Sequence, residues 1–411
     1  MNPTRLVLAL LIPAVVGVHA TASYLGRSMW WSLGRDFELV LSSNQLGTLG
    51  FLAGAAGAAV IGALAGPGAA MVLGLLVGAA GHALVGSGAL ATGGVLYGVG
   101  RALVAIGSSA ALARAVPPAN AAGRMALYTA TYGLVNLGAT VAPMGASLGD
   151  IAGYTPILFA CVGVLAVTAL VAAPAAVLPW MRPDDLDAPA PDRVALGVAA
   201  ATALVGGGAW AVWTFGNDAQ WQVLYNQGGN GAPTWLFSVN PSAAMLSSLA
   251  ATVALGAAGL SGFRVPPLLV AAVGFAGAGL ALLPSAVIPG TVVAAGVSGL
   301  TGLAEPLLYA GLWAQVTGRV PWRAAPIFGA VLYGLTLVPN ALTLGLGAVG
   351  VDTVDISGVV ASLTGVVVLG AGVLAAAAGL WVHKLEADEL PADGFSAAGP
   401  DPYGFDGAPR G

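Results

Sequence analysis

Ala69-Ala-Met-Val-Leu-Gly-Leu-Leu-Val-Gly-Ala-Ala-Gly-His-Ala-Leu-Val-Gly-Ser-Gly-Ala89 runs 21 residues without a charged side chain. As a helix it reaches about 30 Å at roughly 1.5 Å per residue, the thickness of the hydrocarbon core of a bilayer. Its small Gly and Ala residues let neighbouring helices approach backbone to backbone in lipid. The rest of the chain is of the same kind. Of 411 residues 58% are hydrophobic, 62 are glycine and only 7% are charged. A soluble domain carries about 25% charged residues, so a water-solvated globule of this size is excluded. The reading is an all-α polytopic membrane protein.

Apolar runs between charged or turn-rich breaks give twelve spans, at about 6–34, 44–65, 69–89, 93–114, 124–148, 155–179, 194–220, 240–262, 266–286, 289–317, 324–349 and 355–383. The segment Arg182-Pro-Asp-Asp-Leu-Asp-Ala-Pro-Ala-Pro-Asp-Arg193 separates six spans from six and reads as a solvated hinge. The expected organisation is therefore a six-helix bundle over 1–180, a cytoplasmic linker over 181–193 and a second bundle over 194–384. An acidic tail over 385–411 follows, too rich in Asp, Glu, Pro and Gly to bury a core.

With the N-terminus in the cytoplasm, Arg5, Arg114, Arg124, Arg182, Arg193, Arg264, Arg319, Arg323 and Lys384 fall on the inner side. Only Arg27 and Arg35 fall on the outer side, and Arg101 lies within a span. This positive-inside bias places both termini in the cytoplasm of a plasma-membrane protein. Trp30, Trp31, Trp221, Tyr225 and Trp235 then lie near the outer interface, as an aromatic belt. The first apolar run is longer than a signal-peptide core, so it is expected to stay as a span.

The single cysteine, Cys161, sits in an apolar run, which excludes a disulfide framework or a thiol metal cluster. No cofactor or metal is expected. Twelve arginines against one lysine, with Asp favoured in the aqueous segments, fit a halophilic archaeon of high GC content. The net charge of −4 comes mostly from loops and tail and gives no sign of a nucleic-acid partner. The partners expected are the bilayer, a small solute and a coupling ion, with the chain as a monomer.

The two halves echo each other. Gly62-Ala-Leu-Ala-Gly66 and Gly256-Ala-Ala-Gly259 each follow the second span of a half. An arginine-bearing turn precedes each fifth span, from Arg114 to Arg124 and in Arg319-Val-Pro-Trp-Arg323. Repeats of this kind let secondary transporters build a midplane site between two rocking bundles.

Arg101-Ala-Leu-Val-Ala-Ile-Gly107 resembles the fourth-helix motif of the major facilitator superfamily, with its buried arginine. The likeness continues through Pro117-Pro118, Gly123-Arg124, Asn136-Leu-Gly138 and Ala142-Pro143. Tyr24-Leu-Gly-Arg27 with Ser42-Ser-Asn-Gln-Leu-Gly47 is similar to the first two helices of the anion transporters in that superfamily. The resemblance spans essentially residues 1–383 and implies twelve helices, alternating access and transport driven by a gradient. The loop Gly66-Pro-Gly-Ala-Ala70 keeps the glycines of the family's loop between helices two and three but none of its charges. Of the antiporter motif on the fifth helix, Gly138 and Pro143 remain.

Ionisable groups in hydrocarbon are costly and usually face a cavity or a partner. Glu305 is the one acid in the middle of a span, and Ala304-Glu305-Pro306 sets it beside a helix-breaking proline. A carboxyl group there can take up and release a proton as a cavity opens and closes, which makes Glu305 the candidate coupling-ion site. The plainer alternative is a glutamate hydrogen-bonded to a neighbouring helix. Tyr309 and Trp313 follow at i+4 and i+8 on the same face.

Arg101 cannot lose its proton and needs an anion or several carbonyls; it is either an organiser of the cavity or a fixed interhelical bracket. Arg27 either reaches the cavity, where a guanidinium can grip a carboxylate in two-pronged fashion, or snorkels to outer headgroups. Tyr24 belongs to the same motif. Tyr128, Tyr132, Asn136 and Thr140 form one stripe along the fifth span, matched by Tyr333 and Asn340 on the eleventh and by Trp213 and Asn217 on the seventh. Such a stripe lines a wet cavity or bonds a neighbouring helix. His19, mid-span in the first helix, either binds substrate or packs. His82 reads as structural.

The function expected is a secondary active transporter that moves a small solute by alternating access, coupled to H⁺ or Na⁺. Two other classes stand beside it, a transporter-like sensor or scaffold that no longer transports and a polytopic membrane enzyme. The enzyme is disfavoured because the three histidines are not spaced for metal binding with Asp or Cys. Uptake and export, and anion and cation as cargo, stay open.

Overall fold

The computed structural model describes residues 3–33, 37–117, 119–177, 193–228, 238–286, 291–321, 324–338 and 357–388. Apolar sequence leaves each backbone carbonyl and amide no water to bond, so every long run closes its hydrogen bonds internally as a helix. The first half comprises α1 (Pro3–Leu33), α2 (Phe37–Leu64), α3 (Pro67–Gly86), α4 (Leu90–Leu112), α5 (Ala121–Ala152) and α6 (Tyr154–Val177). In the second half, α7 runs as Arg193–Ala201 and Gly207–Gly228, joined by a π-helical stretch at Thr202–Gly206. It is followed by α8 (Val239–Leu260), α9 (Pro267–Leu282), α10 (Thr291–Thr317), α11 (Ala325–Thr336) and α12 (Ser357–Asp388). No β-strand occurs among the described residues.

Ten helices are long and apolar enough to cross a membrane among the described residues. The 32-residue α5 and the shorter apolar α11 fill the two remaining places in the order. The expected linker and tail lie largely outside the described residues, as does Asn340.

The packing repeats between halves. Helix α1 packs on α5 and α6, α3 on α4 and α6, and α2 on α4. Adding six to each number gives the contacts of the second half, with α7 on α11 and α12, α9 on α10 and α12, and α8 on α10. The contacts between halves obey the same exchange, since α2 meets α11 as α8 meets α5, and α4 meets α11 as α10 meets α5. The molecule is thus two pseudo-symmetric six-helix bundles.

Small residues set the closest approaches. A Cβ on Gly74 of α3 would lie 2.7 Å from the Gly100 carbonyl oxygen of α4, so these backbones touch directly. Leu75, Met71 and Ile12 are fully buried, whereas Leu170, Leu260 and Val373 lie bare on the outer surface, where lipid replaces water.

One expectation is corrected. Trp30 is not part of a lipid-facing aromatic belt but is 3% exposed. Its indole packs edge-on against Tyr97 at 4.8 Å and His82 at 5.6 Å, because α3 and α4 cover this face of α1. The side chains of Trp31, Trp221, Tyr225 and Trp235 lie outside the described residues.

Candidate functional site

A cavity of about 640 Å³ lies where α1, α2, α4 and α5 meet α7, α8, α10 and α11. It sits toward the end of the bundle where α1 finishes and α8 begins. On α1 it is lined from Val16 to Arg27, on α8 by Asn240 and Pro241 at the helix start, and on α11 by Tyr333, Thr336 and Leu337. Of the candidates read from sequence, His19, Tyr24, Arg27, Arg101, Tyr132, Asn136, Glu305 and Tyr309 line this space. Tyr128 and Trp313 do not. Both are fully buried beneath the cavity floor, where the two halves are pressed together.

Arg101 and Glu305 face the cavity from opposite halves, on α4 and α10. The Arg101 guanidinium sits over the rings of Tyr24 at 5.8 Å and Phe51 at 6.0 Å. Cation–π contact with a ring face holds the charge while leaving the N–H groups at the guanidinium edge available. No hydrogen bond or salt bridge of Arg101 occurs among the described residues. Glu305 has the Tyr132 hydroxyl against its carboxyl group.

The neutral lining groups are largely engaged. Asn136 Nδ2 donates to the Tyr132 carbonyl at 2.9 Å. Asn240 Nδ2 donates to the Ser298 carbonyl at 2.7 Å and to Thr301 Oγ1 at 3.3 Å. Thr301 Oγ1 in turn donates to Asn217 Oδ1 at 3.3 Å. Ser247 donates to the Leu303 carbonyl at 2.5 Å, so α8 supports α10 close to Pro306, through which the helix continues unbroken.

Below the cavity, two polar stripes meet. On α10, Glu305, Tyr309, Trp313 and Thr317 recur every four residues, and on α5, Arg124, Tyr128 and Tyr132 do the same. Tyr128 Oη donates to the Ser109 carbonyl at 2.9 Å and lies 3.1 Å from Thr317 Oγ1. Arg124 donates to Thr317 Oγ1 at 3.4 Å and to the Val116 carbonyl at 2.9 Å. Ser109 Oγ and Tyr309 Oη are 3.0 Å apart. Each of these chains ties the first half to the second across the closed end.

Rings fill the space between. Tyr132 and Tyr309 lie 4.7 Å apart, Trp210 and Tyr333 5.4 Å, and Trp313 and Tyr333 5.6 Å. At the floor a Cβ on Gly259 of α8 would lie 2.7 Å from the Gly123 amide nitrogen of α5, so the helices touch without side chains.

Several members of this site were not singled out from sequence. Thr317 and Arg124 are the next four-residue steps of stripes already visible, and following each stripe one step further reaches them. Trp210 and Ser109 carry no such signal, since a lone indole or hydroxyl in an apolar run reads as packing.

No protein-family model matches the sequence, and no curated protein is similar to it in sequence. Solved structures share its architecture. The Escherichia coli fucose:proton symporter FucP superposes with a TM-score of 0.66 at 14% identity, covering 90% of this chain and 99% of that one. A second FucP structure, described as a major facilitator superfamily transporter in the outward conformation, gives 0.62 at 13% identity, covering 90% and 99%. The human organic anion transporter MFSD10 (TETRAN) gives 0.66 at 15% identity, covering 91% and 100%. With twelve helix positions, a sixfold-shifted packing pattern and a cavity between the halves, the chain has the fold of the major facilitator superfamily transporters.

Proposed function

We propose that this protein is a secondary active transporter that carries a small solute through the cavity between its two halves, coupled to a proton at Glu305. The observation that carries the reading is a carboxyl group on α10 that faces the cavity on the same helical stripe that closes the floor. A proton gained or lost at Glu305 acts at one end of the stripe Glu305–Tyr309–Trp313–Thr317, whose other end bonds α5. Such a helix can link protonation to opening of the floor.

A proton fits better than Na⁺. A proton needs only one exchangeable carboxyl group, and Glu305 supplies one facing the cavity. The likeness in fold to a fucose:proton symporter is in keeping with this. The charge bias of the loops supports cytoplasmic termini in a plasma membrane, which makes the cavity outward-facing. Each half then moves as the six-helix unit read from the sequence, joined by the Pro/Asp-rich linker.

The test uses protein in liposomes under an imposed proton gradient, with labelled fucose and labelled 4-hydroxyphenylacetate as probes against protein-free liposomes. The expected result is gradient-driven accumulation of one probe, lost in Glu305→Gln while exchange without a gradient persists. Accumulation at the wild-type level in Glu305→Gln removes Glu305 as the coupling site. A sensor or scaffold shows no exchange of either probe.

A further inference from the structure

Taking the cavity to be the solute site, we infer that its cargo is a small organic carboxylate with an unsaturated or ring-bearing body, its carboxylate held by Arg101 and its body laid against the Tyr132–Tyr309–Tyr333 wall. Four observations converge on this. Arg101 keeps its charge at every accessible pH, so its presence in the bundle interior demands compensation. The rings of Tyr24 and Phe51 provide part of it, at 5.8 and 6.0 Å, without engaging an N–H group. The donor edge of Arg101 is thus presented to the cavity with no protein acceptor among the described residues. A carboxylate matches that edge, because two parallel N–H···O bonds can form at once.

The neutral lining argues against a polyhydroxylated cargo. Sugar recognition needs many amide and hydroxyl groups aimed at the ligand. Here Asn136, Thr214, Asn240 and Thr336 of the lining already donate to neighbouring protein atoms. A cationic cargo is disfavoured for a different reason. Among the described lining residues the Glu305 carboxyl group is offset by Arg101, so this lining is not net negative in either protonation state of that acid. Across from Arg101, the tyrosine wall offers flat apolar area suited to an unsaturated body.

Calorimetric titration of the purified full-length protein tests the assignment, with cinnamate and 4-hydroxyphenylacetate each beside its own carboxamide, and with fucose and tetraphenylphosphonium as the alternatives. The expected result is that one carboxylate binds at least about tenfold more tightly than its amide, the difference a charge-assisted pair supports. Arg101→Gln brings the acid-to-amide ratio to about one, and Arg101→Lys, which keeps the charge but not the two-pronged grip, leaves an intermediate ratio. The acid and amide comparison in the wild type needs no variant to fold, and Arg101→Lys covers the case in which Arg101→Gln does not. Equal binding of acid and amide, or discrimination that survives both substitutions, overturns the role of Arg101. Binding of fucose or tetraphenylphosphonium without any carboxylate overturns the cargo class while leaving the transporter reading in place. Failure of every probe also overturns the class, and the wider reading is then decided separately by whether a cysteine placed at Ala105 on the cavity wall is modified from both faces of the membrane, which needs no cargo.

Discussion

Glu305 and Arg101 are a pair of opposite charges kept apart by the cavity, and that separation is the chemical content of the site. Joined in a salt bridge, they would neutralise each other and leave little to recognise a solute. Buried charges cost several kcal/mol each unless compensated; Arg101 has the faces of the Tyr24 and Phe51 rings and Glu305 the Tyr132 hydroxyl, and the proposed solute would complete that compensation. His82 is a contrasting case. Its ring is fully buried, and neither nitrogen has a hydrogen-bond partner among the described residues. An unsatisfied buried polar group costs about 1–3 kcal/mol, so His82→Leu should unfold at a temperature at least as high as the wild type. A fall of several degrees in the melting midpoint would show that the ring's edge contacts with Trp30 and Tyr97 outweigh its unpaired nitrogens.

At the scale of elements, α5 and α10 act together. Their stripes run in opposite chain directions, so Arg124 and Tyr128 meet Thr317 while Tyr132 meets Glu305 and Tyr309. Arg124, 2% exposed, ties the halves by a hydrogen bond to Thr317 and is held within its own half by a second bond, to the Val116 carbonyl. Tyr128→Phe removes a hydroxyl that reaches Ser109 and Thr317. Only the Thr317 contact crosses between the halves, so at about 0.5–1.5 kcal/mol per bond the floor should open roughly two- to tenfold more often, read as faster modification of a cysteine placed below it. An unchanged rate would mean that ring packing alone holds the floor. Gly259→Val should act in the same direction and more strongly, because a branched side chain there meets the α5 backbone. Its expected signature is loss of the closed floor with helical content intact by circular dichroism.

Over the whole molecule, the architecture was legible because lipid imposes simple rules. Run length marks the spans, and the echo of Gly-rich and Arg-bearing turns marks the two halves. The candidate site was legible along single helices, where a four-residue repeat on one sequence puts Tyr132, Asn136, Glu305 and Tyr309 on common faces. Depth was not legible. Tyr128 and Trp313 belong to those same stripes but fall under the floor, since where a stripe leaves the cavity depends on the tilt of the partner helix. Trp30 failed for a related reason, because a tryptophan near a helix end faces lipid or core according to which helix covers it. Trp210 needed three dimensions to be placed between Tyr309 and Tyr333.

A transporter of the proposed kind opens its cavity to each side of the membrane in turn. With Cys161→Ala as background, a cysteine at Ala105 lies on the cavity wall and is the only thiol in the chain. Modification by a membrane-impermeant thiol reagent is then followed in vesicles of both orientations. Under alternating access Ala105→Cys is modified from both faces, and Glu305→Gln alters the ratio of the two rates. Modification from one face only, with and without Glu305, would contradict it and leave the molecule a fixed receptor with a transporter's shape.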